Sequence, residues 1–219
     1  GVAGQVNGAF RFDGVNDFVN AGAGSNLDIT GDISLDFWIN RQAGGPLFQE
    51  VLSKGDDGLG GYTYFMVLLD TGQIRFGTDG IFNGGPESEI TSNAVLPIGV
   101  LTHVAVTFSP STDVANIYIN GVLDKTDPIT LNPVSKPARP LTIGALGFFQ
   151  GGTINFFKGL LDEVEIFNKT LTSAEIQSIF NAGSAGKCKA PVPPPVPTAG
   201  FVAQSLFFDT ATKLVSDTG

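Results

Sequence analysis

Asp162, Glu163 and Glu165 of LLDEVEIF place three carboxylates within four residues, the spacing in this chain that best suits acid–base work. A retaining glycoside hydrolase needs two carboxyl groups roughly 5 Å apart, one to protonate the leaving oxygen and one to attack. Simple strand alternation sends Glu163 and Glu165 to one face, with Val164 and Ile166 on the other. The single histidine, His103, lies in THVAVTF, which predicts a buried strand histidine hydrogen-bonded within its sheet rather than a triad base. One histidine and one cysteine, Cys188, leave no zinc cluster and no intramolecular disulfide. A hard cation has more to hold it. FDGVNDF gathers Asp13, Asn16 and Asp17 within five residues, Gly14 permits a tight turn, and calcium takes oxygens from such groups. The competing reading is that Asp13 and Asn16 close the turn through their own side-chain hydrogen bonds. A second acidic loop, KGDDGLGG at 54–61, reads as solvated.

Sugar binding would need exposed rings with amides and acids beside them. GIFNGGPESE offers Phe82 and Asn83, and GFFQGGTINFF offers Phe148, Phe149, Phe156 and Phe157. Such rings serve equally as core or as a protein contact patch. Asn168-Lys169-Thr170 fits a glycosylation sequon that matters only in a eukaryotic host.

The elements that must position these groups are strands. Of 219 residues, 42% are hydrophobic and only 15% charged, against about 25% in an average soluble domain. Twenty-nine Gly and 18 Phe, in short apolar runs broken by Gly and Asn, indicate an all-β sandwich or barrel. In DISLDFWIN, Ile33, Leu35, Phe37 and Ile39 share a face and Trp38 points the other way, where we expect it to be buried. Further strands are expected at 8–14, 62–70, 73–79, 101–109, 116–126, 141–146 and 159–168, paired antiparallel because no helical crossover separates them. Asn120-Gly121 between two apolar runs predicts a two-residue type I′ hairpin, and Asp70 to Gln73 a second hairpin. LTSAEIQSIFNAG predicts one short helix, with Thr172 and Glu175 as a capping box, Ile176, Ile179 and Phe180 as its apolar stripe and Gly183 as its stop.

A net charge of −9 has the wrong sign for a nucleic-acid partner. No run approaches the ~18 apolar residues of a membrane helix. The chain opens on Gly without a signal-peptide pattern, so we read it as a mature or excerpted segment.

AFRFDGVNDFV (9–19), ISLDFWIN (33–40), LTHVAVTF (101–108), IYINGVL (117–123), LTIGA (141–145) and GLLDEVEIFNKTLTSAEIQSIFNAGSAGKC (159–188) together resemble the laminin-G-like branch of the concanavalin A-like jelly rolls. Leu101 departs from the pattern, which usually carries Trp before the His-Val-Ala strand. The resemblance implies a two-sheet antiparallel jelly-roll sandwich over residues 1–189, often with one structural calcium and usually without catalysis. It places Asp162 near Asp13, Asn16 and Asp17 as a fourth calcium ligand. In that branch the carboxylates of the Asp-Glu-Val strand are structural or solvent-facing. The implied roles are those of carbohydrate-binding, adhesive or spacer modules in secreted proteins, with glycans or like subunits as partners.

Beyond a proline-rich linker at 190–200 stands GFVAQSLFFDTATKLVSDTG, which resembles the strand that usually opens such a domain. Phe201, Val202, Leu206, Phe207 and Phe208 would each contribute ~1.5–3 kcal/mol on burial, so a docked strand at 201–219 is expected. It would complete a jelly roll, its own or that of a neighbouring subunit or repeat. The stiff spacer projects it outward and favours a neighbour, which implies head-to-tail assembly by strand donation.

Overall fold

The computed structural model describes residues 2–6, 8–55, 61–78, 87–149, 152–185 and 204–205. Among the described residues there are sixteen strands: β1 (Val2–Ala3), β2 (Gly8–Asp13), β3 (Val19–Asn20), β4 (Ile33–Arg41), β5 (Phe48–Gly55), β6 (Tyr62–Leu69), β7 (Ile74–Gly77), β8 (Glu89–Thr91), β9 (Thr102–Ser109), β10 (Val114–Ile119), β11 (Val122–Pro128), β12 (Leu141–Ile143), β13 (Leu146–Phe149), β14 (Gly152–Ile154), β15 (Lys158–Phe167) and β16 (Gln204–Ser205). One helix, α1 (Ser173–Ala182), follows β15. Every strand pairing is antiparallel, as expected.

Two sheets face each other. One runs β1-β2-β15-β4-β9-β10-β11 with β16 also on β15, and the other runs β3-β12-β5-β6-β7-β8. Between them lie Ile33, Leu35, Phe37 and Ile39 of β4 with Val104, Val106 and Phe108 of β9, against Leu52, Tyr64, Met66, Leu68 and Phe76 of the second sheet. All of these side chains are fully buried. Period-two alternation puts one face of each strand into this layer, and burying each such residue contributes ~1.5–3 kcal/mol. No described helix is long and apolar enough to cross a membrane.

Both predicted hairpins form. Asn120 and Gly121 have φ of 51° and 76°, the paired positive values of a type I′ turn, and Ile119 faces Val122 across it. Gly72, at φ 89°, closes the turn from β6 to β7. The capping box is complete: Thr172 accepts the Glu175 amide, and Glu175 accepts the Thr172 amide. Below its apolar stripe, α1 covers the outer face of the larger sheet, where Ile176 packs with Ala105, Tyr118 and Leu171. There the Phe180 ring stacks on Trp38 at 5.8 Å, and Trp38 is buried as expected.

One central strand escaped the pattern. β5 lies between β12 and β6, yet FQEVLSKG carries Gln49, Glu50, Ser53 and Lys54 and lacks apolar alternation. Those polar side chains are nonetheless buried. Lys54 shows how this is made tolerable: its ammonium donates to the carbonyls of Lys136 and Arg139 at 2.6 Å each and lies 3.8 Å from the Asp28 carboxylate. Asp28 also accepts from Thr63, Ser135 and the Lys136 amide, tying the 133–139 loop to the sandwich.

Burial alone would raise the Asp28 carboxyl, but the bonds from Ser135 and Lys136, the Lys54 charge and the Thr63 bond hold it below the ordinary carboxylate range. A carboxyl depressed in the folded state adds stability above its unfolded pKa and loses it as pH falls through the folded value. Asp28→Ala, which strands a buried ammonium, should cost roughly 3 kcal/mol in urea unfolding at pH 7. Below about pH 4 the wild-type urea midpoint should fall more steeply than that of Asp28→Asn. Thr172→Ala should cost about 1 kcal/mol by loss of the cap.

Candidate functional site

The outer face of the larger sheet gathers the acid groups that the sequence singled out. Along β15, Asp162 faces Trp38 but Glu165 faces Asp36, so β15 spends one residue more than β4 between those pairs. This is a β-bulge, and Glu163 takes the positive φ of 49° that it requires. The expected side for Glu163 and Glu165, opposite Val164 and Ile166, is kept, and the bulge adds Asp162 to it. Val164 and Ile166 do enter the core, but Asp162, Glu163 and Glu165 all stay on the outer side.

Most of this cluster is buried, with Glu163 half-buried. Asp162 and Glu165 are buried, as are Asp36 and His103 on β4 and β9. Asp162 accepts the Val6 amide through Oδ2 at 3.1 Å and the Glu163 amide through Oδ1 at 3.0 Å. His103 Nε2 is 2.9 Å from Asp36 Oδ2, the in-sheet contact expected of it, and its ring lies under Trp38 and Phe180. A space between α1 and this surface, bounded by Asp36, Glu163 and Ile179, is about 10 Å³, room for about one water.

The calcium set is split. Asp13 Oδ1 accepts the amides of Val15 and Asn16, and Asp17 Oδ2 accepts the amide of Asp13, so these residues close their own turn. Asp13 faces Lys158 across the β2–β15 ladder, four residues along β15 from Asp162. At ~3.3 Å per residue the separation is roughly 13 Å, so the four residues do not fit one calcium centre. Among the described residues no group of three His, Cys, Asp or Glu could hold a metal ion.

Of the aromatic candidates, Phe82 and Asn83 lie outside the described residues. Phe148 and Phe149 belong by their backbone to β13, hairpinned to β14, and their side chains are outside the description. Phe157 is core, edge-on to Phe12 at 5.8 Å. Phe201, Val202, Leu206, Phe207 and Phe208 also lie outside the described residues, but the backbone of Gln204–Ser205 between them pairs antiparallel with Glu165 and Ile166 of the same chain. That edge is open because β2 pairs with β15 only from Lys158 to Leu161.

One open groove was not anticipated. It lies where β2, β15 and the loop after β4 meet, has a volume of about 530 Å³, and is lined by Arg11, Asp13, Gln42 and Lys158 with Val2, Ile98 and Leu160. Arg11 sits opposite Leu160 and Asp13 opposite Lys158, so Arg11 and Lys158 are diagonal neighbours. The Gln42 amide is held by Asn40 at 2.8 Å, and Asn40 by the Gly99 carbonyl at 3.1 Å, which fixes the rim. The Lys158 stem passes Gly14, where a β-carbon would come within 2.9 Å, and its ammonium ends beside Gly44. The signal available beforehand was weak: outward positions of two strands far apart in the chain, meaningful only once their register is known.

The bulge gives a direct test. Glu163→Gly should keep or raise the melting temperature, because glycine takes positive φ without cost, whereas Glu163→Val should lose about 1–2 kcal/mol in chemical unfolding. Equal stability of the two variants would mean that the ladder is regular there.

A family model described as the concanavalin A-like lectin/glucanases superfamily, of laminin-G type, matches residues 13–177. No curated protein sequence matches. Among solved structures, the family-40 carbohydrate-binding module of the Ruminococcus gnavus IT-sialidase, bound to α2,3-sialyllactose, is 11% identical, with 78% of this chain and 97% of that chain covered and a TM-score of 0.63. Domain 4 of an extracellular arabinanase from Geobacillus stearothermophilus, in complex with arabinotriose, is 17% identical over 80% and 77% of the two chains, with a TM-score of 0.57. A Bacteroides ovatus protein assigned provisionally to carbohydrate binding is 14% identical with a TM-score of 0.60, covering 78% of this chain but only 46% of that one. At these identities the likeness is one of fold.

Proposed function

This chain belongs to the concanavalin A-like lectin/glucanase superfamily, and from that premise we propose that it is a non-catalytic, carbohydrate-binding and adhesive module of an extracellular protein. The observation that carries the reading is the groove between β2 and β15. There polar side chains on rigid strands border an open, apolar-walled cleft of ligand size. Neighbours on the same sandwich were solved as carbohydrate-binding modules or with sugars bound, which supports the class of ligand. Closure of the Asp162–Glu165 cluster beneath α1 and residues 4–6 supports the absence of turnover.

A panel of immobilised glycans tests it. Binding at millimolar affinity or better should weaken about fivefold in Gln42→Ala, the loss of one hydrogen bond, with the melting temperature unchanged. A panel without any ligand would refute the reading. Structural calcium enters this proposal only at the Asp13–Asp17 turn. Millimolar calcium should then raise the melting temperature by a few degrees in the wild type and not in Asp17→Asn, and an unchanged wild type would remove calcium from it.

The pairing of Gln204–Ser205 with β15 favours a second, compatible role: the C-terminal strand fills the edge that β2 leaves open, in its own domain or in the next copy. In the second arrangement copies join head to tail. Deletion of 190–219 decides between them. Loss of stability with unchanged molecular mass places the strand at home, and a fall from oligomer to monomer places it in a neighbour. Unchanged stability and mass would refute both.

A further inference from the structure

We infer that the β2–β15 groove selects glycans bearing an anionic substituent, a carboxylate or a sulfate ester, through Arg11 and Lys158. The inference rests on the carbohydrate-binding reading and adds the charge of the ligand. Among the described cations, Lys54, Arg75, Lys125 and Lys169 are each ion-paired, and Arg41 is bound to the Leu96 carbonyl at 2.5 Å. Lys136 and Arg139 have partners too. Arg11 and Lys158 alone make no side-chain hydrogen bond or ion pair among the described residues, and both border one groove.

In a chain of net charge −9, two unpaired cations set diagonally on adjacent strands repel each other and gain nothing locally. An anion between them would be held by charge-assisted hydrogen bonds, the stronger kind, from a guanidinium fork on one side and a mobile ammonium on the other. The remaining charged group of the groove is Asp13. Its Oδ1 is turned into its own loop by the Val15 and Asn16 amides, which draws the carboxylate away from Lys158, although the two residues are direct ladder partners. Ile98 and Leu160 supply an apolar wall for a sugar ring, and the Gln42 amide, fixed by Asn40, is placed to meet hydroxyls. Selectivity would follow from the cost of leaving a neutral sugar against two unpaired cations.

The test uses the full chain in isothermal titration with digalacturonate, its uncharged methyl ester, a sulfated disaccharide and the same disaccharide without sulfate. At low salt at least one anionic probe should bind about tenfold or more tightly than its neutral counterpart, and the preference should shrink in 0.5 M salt. Arg11→Ala and Lys158→Met should each remove about tenfold of that preference, with melting temperatures unchanged. Which anionic probe wins distinguishes carboxylate from sulfate. Equal binding of charged and neutral probes, lost in Gln42→Ala, would overturn the inference and leave the glycan reading standing. Anion preference that survives both cation variants would also overturn it. Failure of all four probes together with a negative glycan panel would sink both.

Discussion

The apolar layer between the two sheets constrains everything else in this domain. Each strand must present one face to that layer, so every polar or charged side chain has to be carried by the outer face, by strand ends or by loops. β15 feels the constraint most strongly. It lies between β2 and β4, supplies Leu161, Val164 and Ile166 to the core, and must also deliver three carboxylates elsewhere. The bulge at Glu163 reconciles these demands by adding one residue on the outer side.

The outer face then divides into a sealed half and an open half. At the Glu165 end, α1 and residues 4–6 cover Asp36, His103, Asp162 and Glu165; the Asp162 oxygens accept the Val6 and Glu163 amides, and Asp36 Oδ2 meets the His103 ring. Buried polar groups of this kind cost stability unless satisfied, so the cover and the cluster stand or fall together. At the Lys158 end, among the described residues, the groove between β2, β15 and the loop after β4 remains open with its two cations. One sheet thus carries a structural acid cluster and a candidate recognition surface a few residues apart.

Much of the sandwich was legible in the residues. Alternation in β4 and β9, the Asn120-Gly121 turn and the Thr172–Glu175 box are local signals whose meaning depends on only a few neighbours, and the structure follows them. β5 was missed for the opposite reason. Its Gln49, Glu50 and Lys54 are buried, and partners distant in sequence satisfy two of them: Gln49 accepts the Lys158 amide and Lys54 donates to carbonyls more than eighty residues away. The calcium quartet failed in the same way, since a shared motif does not set the distance between Asp13 and Asp162, whereas the β2–β15 register does.

The sequence by itself determined the fold class, the hairpins, the capped helix and the burial of His103 and Trp38, because period-two patterning and turn chemistry act over short spans. Tertiary structure alone decided that Asp162 joins Glu163 and Glu165 on the outer face, which of these carboxylates are sealed, and that Arg11 and Lys158 become neighbours. The physical reason is register. A shift of one residue in a strand exchanges its two faces, and nothing within a single strand records where its partner's bulge or ladder begins.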